Sequence, residues 1–197
     1  MAAKKGQPRT EIRLAGEGGQ GMILAGIILA EAAAIYDGRN VVQTQSYGPE
    51  ARGGASKAEV IIAEGEIDFP EVINADILMV MSQEACDKYA GTLKKGGLLI
   101  VDQDKVGRVP TTRAVKAPIL KLAVEATGKV ITANVVALGL LVGLTQVVSR
   151  NAIEQAVTAR APKGTEELNR MALAAGFAAA EQRLHEKPHL TEDVKAG

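Results

Sequence analysis

An α/β fold of three layers, with a mostly parallel sheet and C-terminal helices packed on it, is what this sequence predicts. Two short, continuously apolar runs, ILMVM at 77–81 and GLLIV at 97–101, have the length and character of strands buried on both faces. Longer segments with helical spacing alternate with such runs, as βαβ units do. The interior must be aliphatic, because 47% of residues are hydrophobic while only 3% are aromatic and Trp is absent.

Taken in order, EIRLA at 11–15 reads as the first strand, stopped by the glycines of GEGGQG at 16–21. MILAGIILAEAAAIYDG at 22–38 follows as an apolar helix that Gly38 can end. NVVQT at 40–44 is a second strand and KAEVIIA at 57–63 a third, joined by a glycine-rich loop at 45–54. After the strand at 77–81, residues 83–89 form a short helix, and 97–101 another strand ending at Asp102. Residues 112–116 alternate enough for a further strand or edge, and 119–127 look helical. The stretch 130–149 carries no charge and reaches the roughly 20 residues a bilayer requires. Thr132, Asn134, Thr145 and Gln146 interrupt it, so it reads as a buried core helix. Helices at 149–161, with Ser149 as N-cap, and at 165–184, capped by Thr165 with Leu168 opening its apolar face, close the fold. The whole chain, 1–197, is one domain, with 1–9 and 186–197 as polar tails.

A chain of 197 residues buries roughly 70% of its unfolded surface and needs no covalent staple. Lys plus Arg equals Asp plus Glu at 23 each, a balance unlike that of a nucleic-acid binder, whose phosphate contacts demand a basic surplus. Zero net charge instead favours association, as in a subunit of a complex. The one cysteine, Cys86, rules out an iron–sulfur or zinc site made of this chain's own thiolates. The only histidines, His185 and His189, fall in the polar C-terminal region, so the body has none for acid–base or Ser–His chemistry. No catalytic or metal-binding residue is assigned. The N-terminus, MAAKKGQPRTEIR, lacks the apolar run of a secretory signal, and the expectation is a cytoplasmic protein with no membrane contact.

Gly16, Gly18 and Gly21 satisfy G-x-G-x-x-G between a strand and a helix. Glycines let a backbone turn sharply and approach a ligand, and the helix N-terminus then offers N–H groups to an anion such as a pyrophosphate. Close helix–strand packing alone would also call for glycines there. A nicotinamide enzyme would further place an acid at the end of the second strand, but that strand ends Gln43-Thr44-Gln45, with Asp37 lying before it. No Walker A lysine follows the loop.

The second loop, SYGPEARGG at 46–54, sets a hydroxyl (Ser46), a phenol (Tyr47), a carboxylate (Glu50) and a guanidinium (Arg52) on a path fixed by glycines and Pro49. After the second strand of a parallel sheet it should emerge at the same carboxyl edge as the first loop, where ligands bind. Arg52 could clamp a phosphate or carboxylate bidentately; a surface Glu50–Arg52 pair is the plainer alternative.

GEGGQGMILAGIILAEAA, followed by QTQSYGPEARGGASKAEVII, resembles the gamma subunit of 2-oxoacid:ferredoxin oxidoreductases, most closely of the 2-oxoglutarate enzyme. The similarity in pattern runs to about residue 180. The resemblance implies a complex that converts a 2-oxoacid, coenzyme A and oxidised ferredoxin into acyl-CoA, CO2 and reduced ferredoxin. Thiamine diphosphate would belong to alpha and beta partners, and iron–sulfur clusters to the beta partner or a ferredoxin-like delta subunit. This chain would help form the coenzyme A site. It implies that Gly16, Gly18, Gly19, Gln20 and Gly21 face the phosphates of coenzyme A. Ser46, Tyr47, Gly48, Glu50 and Arg52 would line the same cleft or lock the interface with the thiamine-binding subunits. The isolated chain should then be inactive. The pyruvate, branched-chain 2-oxoacid and indolepyruvate enzymes are alternatives within the family. A free-standing nucleotide-dependent oxidoreductase and a purely structural module are alternatives of other classes.

Overall fold

A computed structural model describes residues 9–47, 55–111 and 114–186. Six strands form one sheet: β1 (Arg9–Glu17), β2 (Asn40–Ser46), β3 (Ala55–Ala63), β4 (Ala75–Val80), β5 (Leu93–Asp102) and β6 (Ala114–Ala117). Their order is β2-β3-β1-β4-β5-β6. β1, β4, β5 and β6 pair in parallel, whereas β3 runs antiparallel to both β1 and β2. Among the six described strands β3 alone therefore points the other way, and β2 and β3 make a hairpin rather than a crossover unit.

The expected layers are present but unequal. Five helices cover one face: α1 (Met22–Glu31), α3 (Ile119–Thr127), α4 (Ala133–Thr145), α5 (Arg150–Arg160) and α6 (Glu166–Glu186). Against them lie Ile12, Leu14, Val60, Ile62, Ile77, Met79 and Ile100. The other face carries α2 (Gln83–Tyr89), whose Ala85, Cys86 and Tyr89 pack on Leu78, Val80, Leu99 and Val101. Alternation in β1 sends Ile12 and Leu14 to the five-helix side and Glu11, Arg13 and Ala15 to the other.

The uncharged stretch forms a 3-10 turn at Val130–Thr132 and then α4, every residue of which is buried. α4 ends where Gln146 takes a left-handed conformation, φ 53°. Small residues let α4 and α6 cross backbone to backbone: the Cα of Gly176 lies 3.0 Å from where a Cβ on Gly139 would stand. No described helix is long and apolar enough to cross a membrane.

Several boundaries differ from expectation. The helix expected to run to Gly38 is α-helical only to Glu31 and then widens into a π turn over Ala32–Tyr36 before Gly38, φ 68°. Arg9 opens β1 and Glu186 closes α6, so neither belongs to a tail, and His185 sits in the last turn of α6. The remainder of both expected tails, His189, and Thr112 and Arg113 of the expected strand at 112–116 lie outside the described residues. Ser149 caps α5 as expected, accepting from the Ala152 N–H at 3.0 Å.

Beside α2 the sheet buries charge. Arg13 is 3% exposed and Glu59 8%. Arg13 Nε donates to Glu59 Oε1 at 2.7 Å, Nη2 donates to the Val72 carbonyl at 2.6 Å, and Nη1 donates to Thr92 Oγ1. Lys57 Nζ adds a second cation 2.9 Å from Glu59. Each partner's charge is answered and most of the guanidinium's hydrogens are used, the condition under which a buried pair is tolerated.

Candidate functional site

The carboxyl end of β1 delivers the glycine turn. The Gln20 N–H donates to the Glu17 carbonyl at 3.2 Å, and Gly19, with φ 92°, supplies the left-handed third position such a four-residue turn uses. Gly21, φ 74°, then opens α1 as its N-cap, with no side-chain cap and no acidic residue in the first turn. The first N–H groups of α1 thus have neither a capping oxygen nor a carboxylate in that turn, and the helix dipole makes the end attractive to an anion.

The glycines divide into two kinds. A Cβ on Gly16 would collide with the Gln20 side-chain amide, and one on Gly21 would stand 2.8 Å from Asn134 Nδ2. Farther along α1, a Cβ on Gly26 would collide with that of Ala58 on β3. These three are required by packing. A Cβ on Gly18 or Gly19 would meet nothing within 4 Å. Gly18 and Gly19 therefore present open backbone, the geometry close ligand approach needs.

Gln20 is engaged at both ends within the chain. Its Oε1 accepts from the Glu17 N–H at 2.8 Å and its Nε2 donates to the Met81 carbonyl at 3.1 Å. Ser56 Oγ donates to the Gly16 carbonyl at 3.1 Å, and the Ala55 N–H donates to Glu84 Oε1 at 3.2 Å. Together they tie the ends of β1 and β4 and the beginnings of β3 and α2 into one rigid edge.

The second loop starts at that edge, because Ser46 pairs with Lys57 in the hairpin while Gly16 pairs with Ser56 on the other side of β3. Two strand spacings, about 10 Å, separate β2 from β1 there. Ser46 and Tyr47 are exposed, Tyr47 at 70%, and Ser46 Oγ donates to the Tyr47 carbonyl at 3.4 Å. Gly48, Glu50 and Arg52 lie outside the described residues. Both loop bases thus converge as expected, although an antiparallel hairpin brings them together.

A cleft of about 320 Å³ adjoins the turn, bordered by Gly19, Gly21 and Leu24 and by Ile131, Asn134 and Arg160. Its floor is apolar, while Lys129 and Arg160 bring positive charge to its walls. Arg160 is ion-paired with Glu31, whose hydrogen bond holds the guanidinium above its already high ordinary value. These cleft residues come from segments distant in sequence from the glycines. The one local sign of them was Thr132 and Asn134 interrupting the uncharged run. Asn134 Nδ2 donates to the Gly21 carbonyl at 3.5 Å, linking α4 to the start of α1. No described group of three or more His, Cys, Asp or Glu side chains could hold a metal ion.

Residues 11–179 match the family described as "Pyruvate ferredoxin/flavodoxin oxidoreductase". The chain is 49% identical to the 2-oxoglutarate synthase subunit KorC of Methanocaldococcus jannaschii, over 92% of this chain and 100% of that one. Among solved structures, the gamma subunit of a keto/oxoacid ferredoxin oxidoreductase from Geobacter sulfurreducens superposes with a TM-score of 0.82 at 51% identity, over 89% of this chain and 98% of that one. A 2-oxoglutarate:ferredoxin oxidoreductase from Magnetococcus marinus, solved with 2-oxoglutarate, coenzyme A and succinyl-CoA bound, shares the fold at 23% identity. Its TM-score is 0.79, over 90% of this chain and 32% of that one.

Proposed function

The chain belongs to the pyruvate ferredoxin/flavodoxin oxidoreductase family, and from that premise we propose that its glycine-turn edge helps form the coenzyme A site of a 2-oxoglutarate:ferredoxin oxidoreductase. It is a gamma-type subunit of an enzyme complex. The observation that carries the coenzyme A reading is that Gly18 faces open space before the uncapped start of α1, where neither packing nor a left-handed backbone gives a reason for glycine, with Gly19, a glycine by its φ of 92°, equally open beside it. The cleft alongside supplies apolar wall for a flexible arm and, in Lys129, a cation for phosphates, Arg160 being held by Glu31. A module of this kind accelerates acyl transfer by position: it holds the acceptor thiol against an acyl group formed on a neighbouring subunit, turning an encounter into an oriented step. It needs no nucleophile of its own.

Thiamine-binding alpha and beta subunits and a ferredoxin-like delta subunit are the partners this reading requires, with ferredoxin as electron acceptor. Ser46 and Tyr47, with Gly48, Glu50 and Arg52 of the adjoining loop, would meet either the coenzyme or the thiamine-binding subunits. The choice of 2-oxoglutarate rests on the KorC relative, and measuring kcat/KM of the purified complex with 2-oxoglutarate, pyruvate and branched-chain 2-oxoacids decides it.

Gly18→Val tests the site, since the open position accepts the side chain without disturbing the fold. In the assembled complex it should raise the KM for coenzyme A by about tenfold or more, a loss of about 1.4 kcal/mol of binding, with unchanged subunit composition. Arg52→Ala should raise the same KM or dissociate the complex, leaving the isolated chain as stable as before. An intact Gly18→Val complex with unaltered coenzyme A kinetics would return the turn to a purely structural role.

A further inference from the structure

One border of the cleft beside the glycine turn is a pinned bend. Gly128, φ 71°, ends α3 and turns the chain into the 3-10 turn at Val130–Thr132. Within the bend Thr127 Oγ1 accepts from the Lys129 N–H at 3.2 Å, and Thr132 Oγ1 donates to the Lys129 carbonyl at 2.8 Å. Both polar groups of the Lys129 backbone are thus held by threonines, and Thr132 is itself buried. The Lys129 side chain, in contrast, is exposed and has no ion-pair or hydrogen-bond partner among the described residues. Two charged residues border the cleft; Arg160 is answered by Glu31, and Lys129 is not. Ile131, on the same bend and the same cleft, is left 76% exposed.

We propose that Lys129 binds the 3′-phosphate of coenzyme A and makes the site select the 3′-phosphorylated cofactor over its dephosphorylated form. The assignment rests on the coenzyme A reading of the glycine turn. Coenzyme A carries two separate anionic groups on one ribose, a pyrophosphate and a phosphomonoester, and the cleft offers two separate positive features. The pyrophosphate matches the first N–H groups of α1, where the open Gly18 and Gly19 allow close approach of the backbone. The phosphomonoester, with a charge of about −1.5 to −2 at neutral pH, matches a point charge on a long stem. Reversing the two would set the anion that gains most from backbone donors against a single side chain, and would leave the turn's open glycines without a purpose. Ile131 gives the purine beside that phosphate an apolar surface, as small-molecule pockets do with few polar groups. A bend fixed through its backbone places Lys129 at the cleft without tying up its ammonium.

Steady-state kinetics of the assembled complex with coenzyme A and with 3′-dephospho-coenzyme A read the outcome. The unaltered complex should show a kcat/KM at least about fivefold higher for coenzyme A, the worth of one charge-assisted hydrogen bond at an exposed position. Lys129→Gln should bring the two forms within about twofold of one another, and Lys129→Arg, which keeps the charge, should retain the preference. Equal use of both forms by the unaltered complex would overturn the proposal, as would a preference that survives Lys129→Gln. Gly18→Val should weaken both forms alike. If it does so while Lys129→Gln still prefers coenzyme A, the site reading stands and the Lys129 assignment falls; if neither substitution alters either form, both fall.

Discussion

The side-chain amide of Gln20 fills the space that a Cβ on Gly16 would require, so the first glycine of the G-x-G-x-x-G turn makes room for a residue of the same turn. The amide then bridges the Glu17 N–H and the Met81 carbonyl, joining the turn to the end of β4. The motif's glycines thus have separate duties, and substitution should separate them.

Gly16→Ala must expel that amide and break both its bonds, at a cost of about 1–3 kcal/mol. Gly18→Ala, in open space, should stay within about 0.5 kcal/mol of the unaltered chain. Urea unfolding of the two variants measures the contrast; equal costs would show that the division is wrong.

Removing Arg13 leaves the Glu59 carboxylate buried beside Lys57 alone. Arg13→Met is expected to cost about 3 kcal/mol, the lower end for a broken buried pair because one cation remains. Replacing both partners, Arg13→Met with Glu59→Leu, should recover most of the loss, since a well-packed apolar pair costs little relative to a buried ionic one. A double-mutant cycle from denaturant unfolding gives the coupling directly.

The contact of α4 with α6 leaves no space for a methyl group. A Cβ on Gly176 would press on the Val136 carbonyl and stand 2.7 Å from the Leu140 nitrogen, and backbone cannot rotate away as a side chain can. Gly176→Ala should destabilise by about 2 kcal/mol, lowering Tm by roughly 4–8 °C in a chain of this size. Calorimetry of the isolated chain reads this shift.

Cys86 is buried on the sheet-facing side of α2, and its Sγ donates to the Arg108 carbonyl at 3.7 Å. Burial first, and Asp87 second, push its thiol above the ordinary range. Because the folded value is raised, the associated stability is complete below the unfolded thiol's range and is lost as pH rises through the folded value. Native chain at pH 8 should therefore react with iodoacetamide at least about tenfold more slowly than urea-unfolded chain. Cys86→Ala should abolish this thiol's contribution to alkaline destabilisation. Comparable labelling rates in the two states would place the thiol at the surface.

Most strands, and the helices at 83–89 and 119–127, were legible because apolar periodicity is a local property. Strand ends were less so. β5 begins at Leu93, four residues before the expected GLLIV, because LKKG continues the chain alongside β4 through a shift in register between Ala75 and Ile77. Nothing within LKKG itself announces a strand. At the glycine turn the pattern could be read, but which glycines face a ligand and which face Gln20, Asn134 or Ala58 could not, since each neighbour except Gln20 lies more than 30 residues away.

Composition and local pattern alone thus determined an aliphatic α/β fold, most of its succession of elements, and two loops rich in glycine. The reversed direction of β3, the crowding of five helices on one face, and the cleft between α1 and the α5–α6 connection were decided only in three dimensions. The physical reason is that hydrophobic spacing selects helix or strand within a few residues, whereas strand order, direction and close backbone approach depend on surfaces brought together from far along the chain.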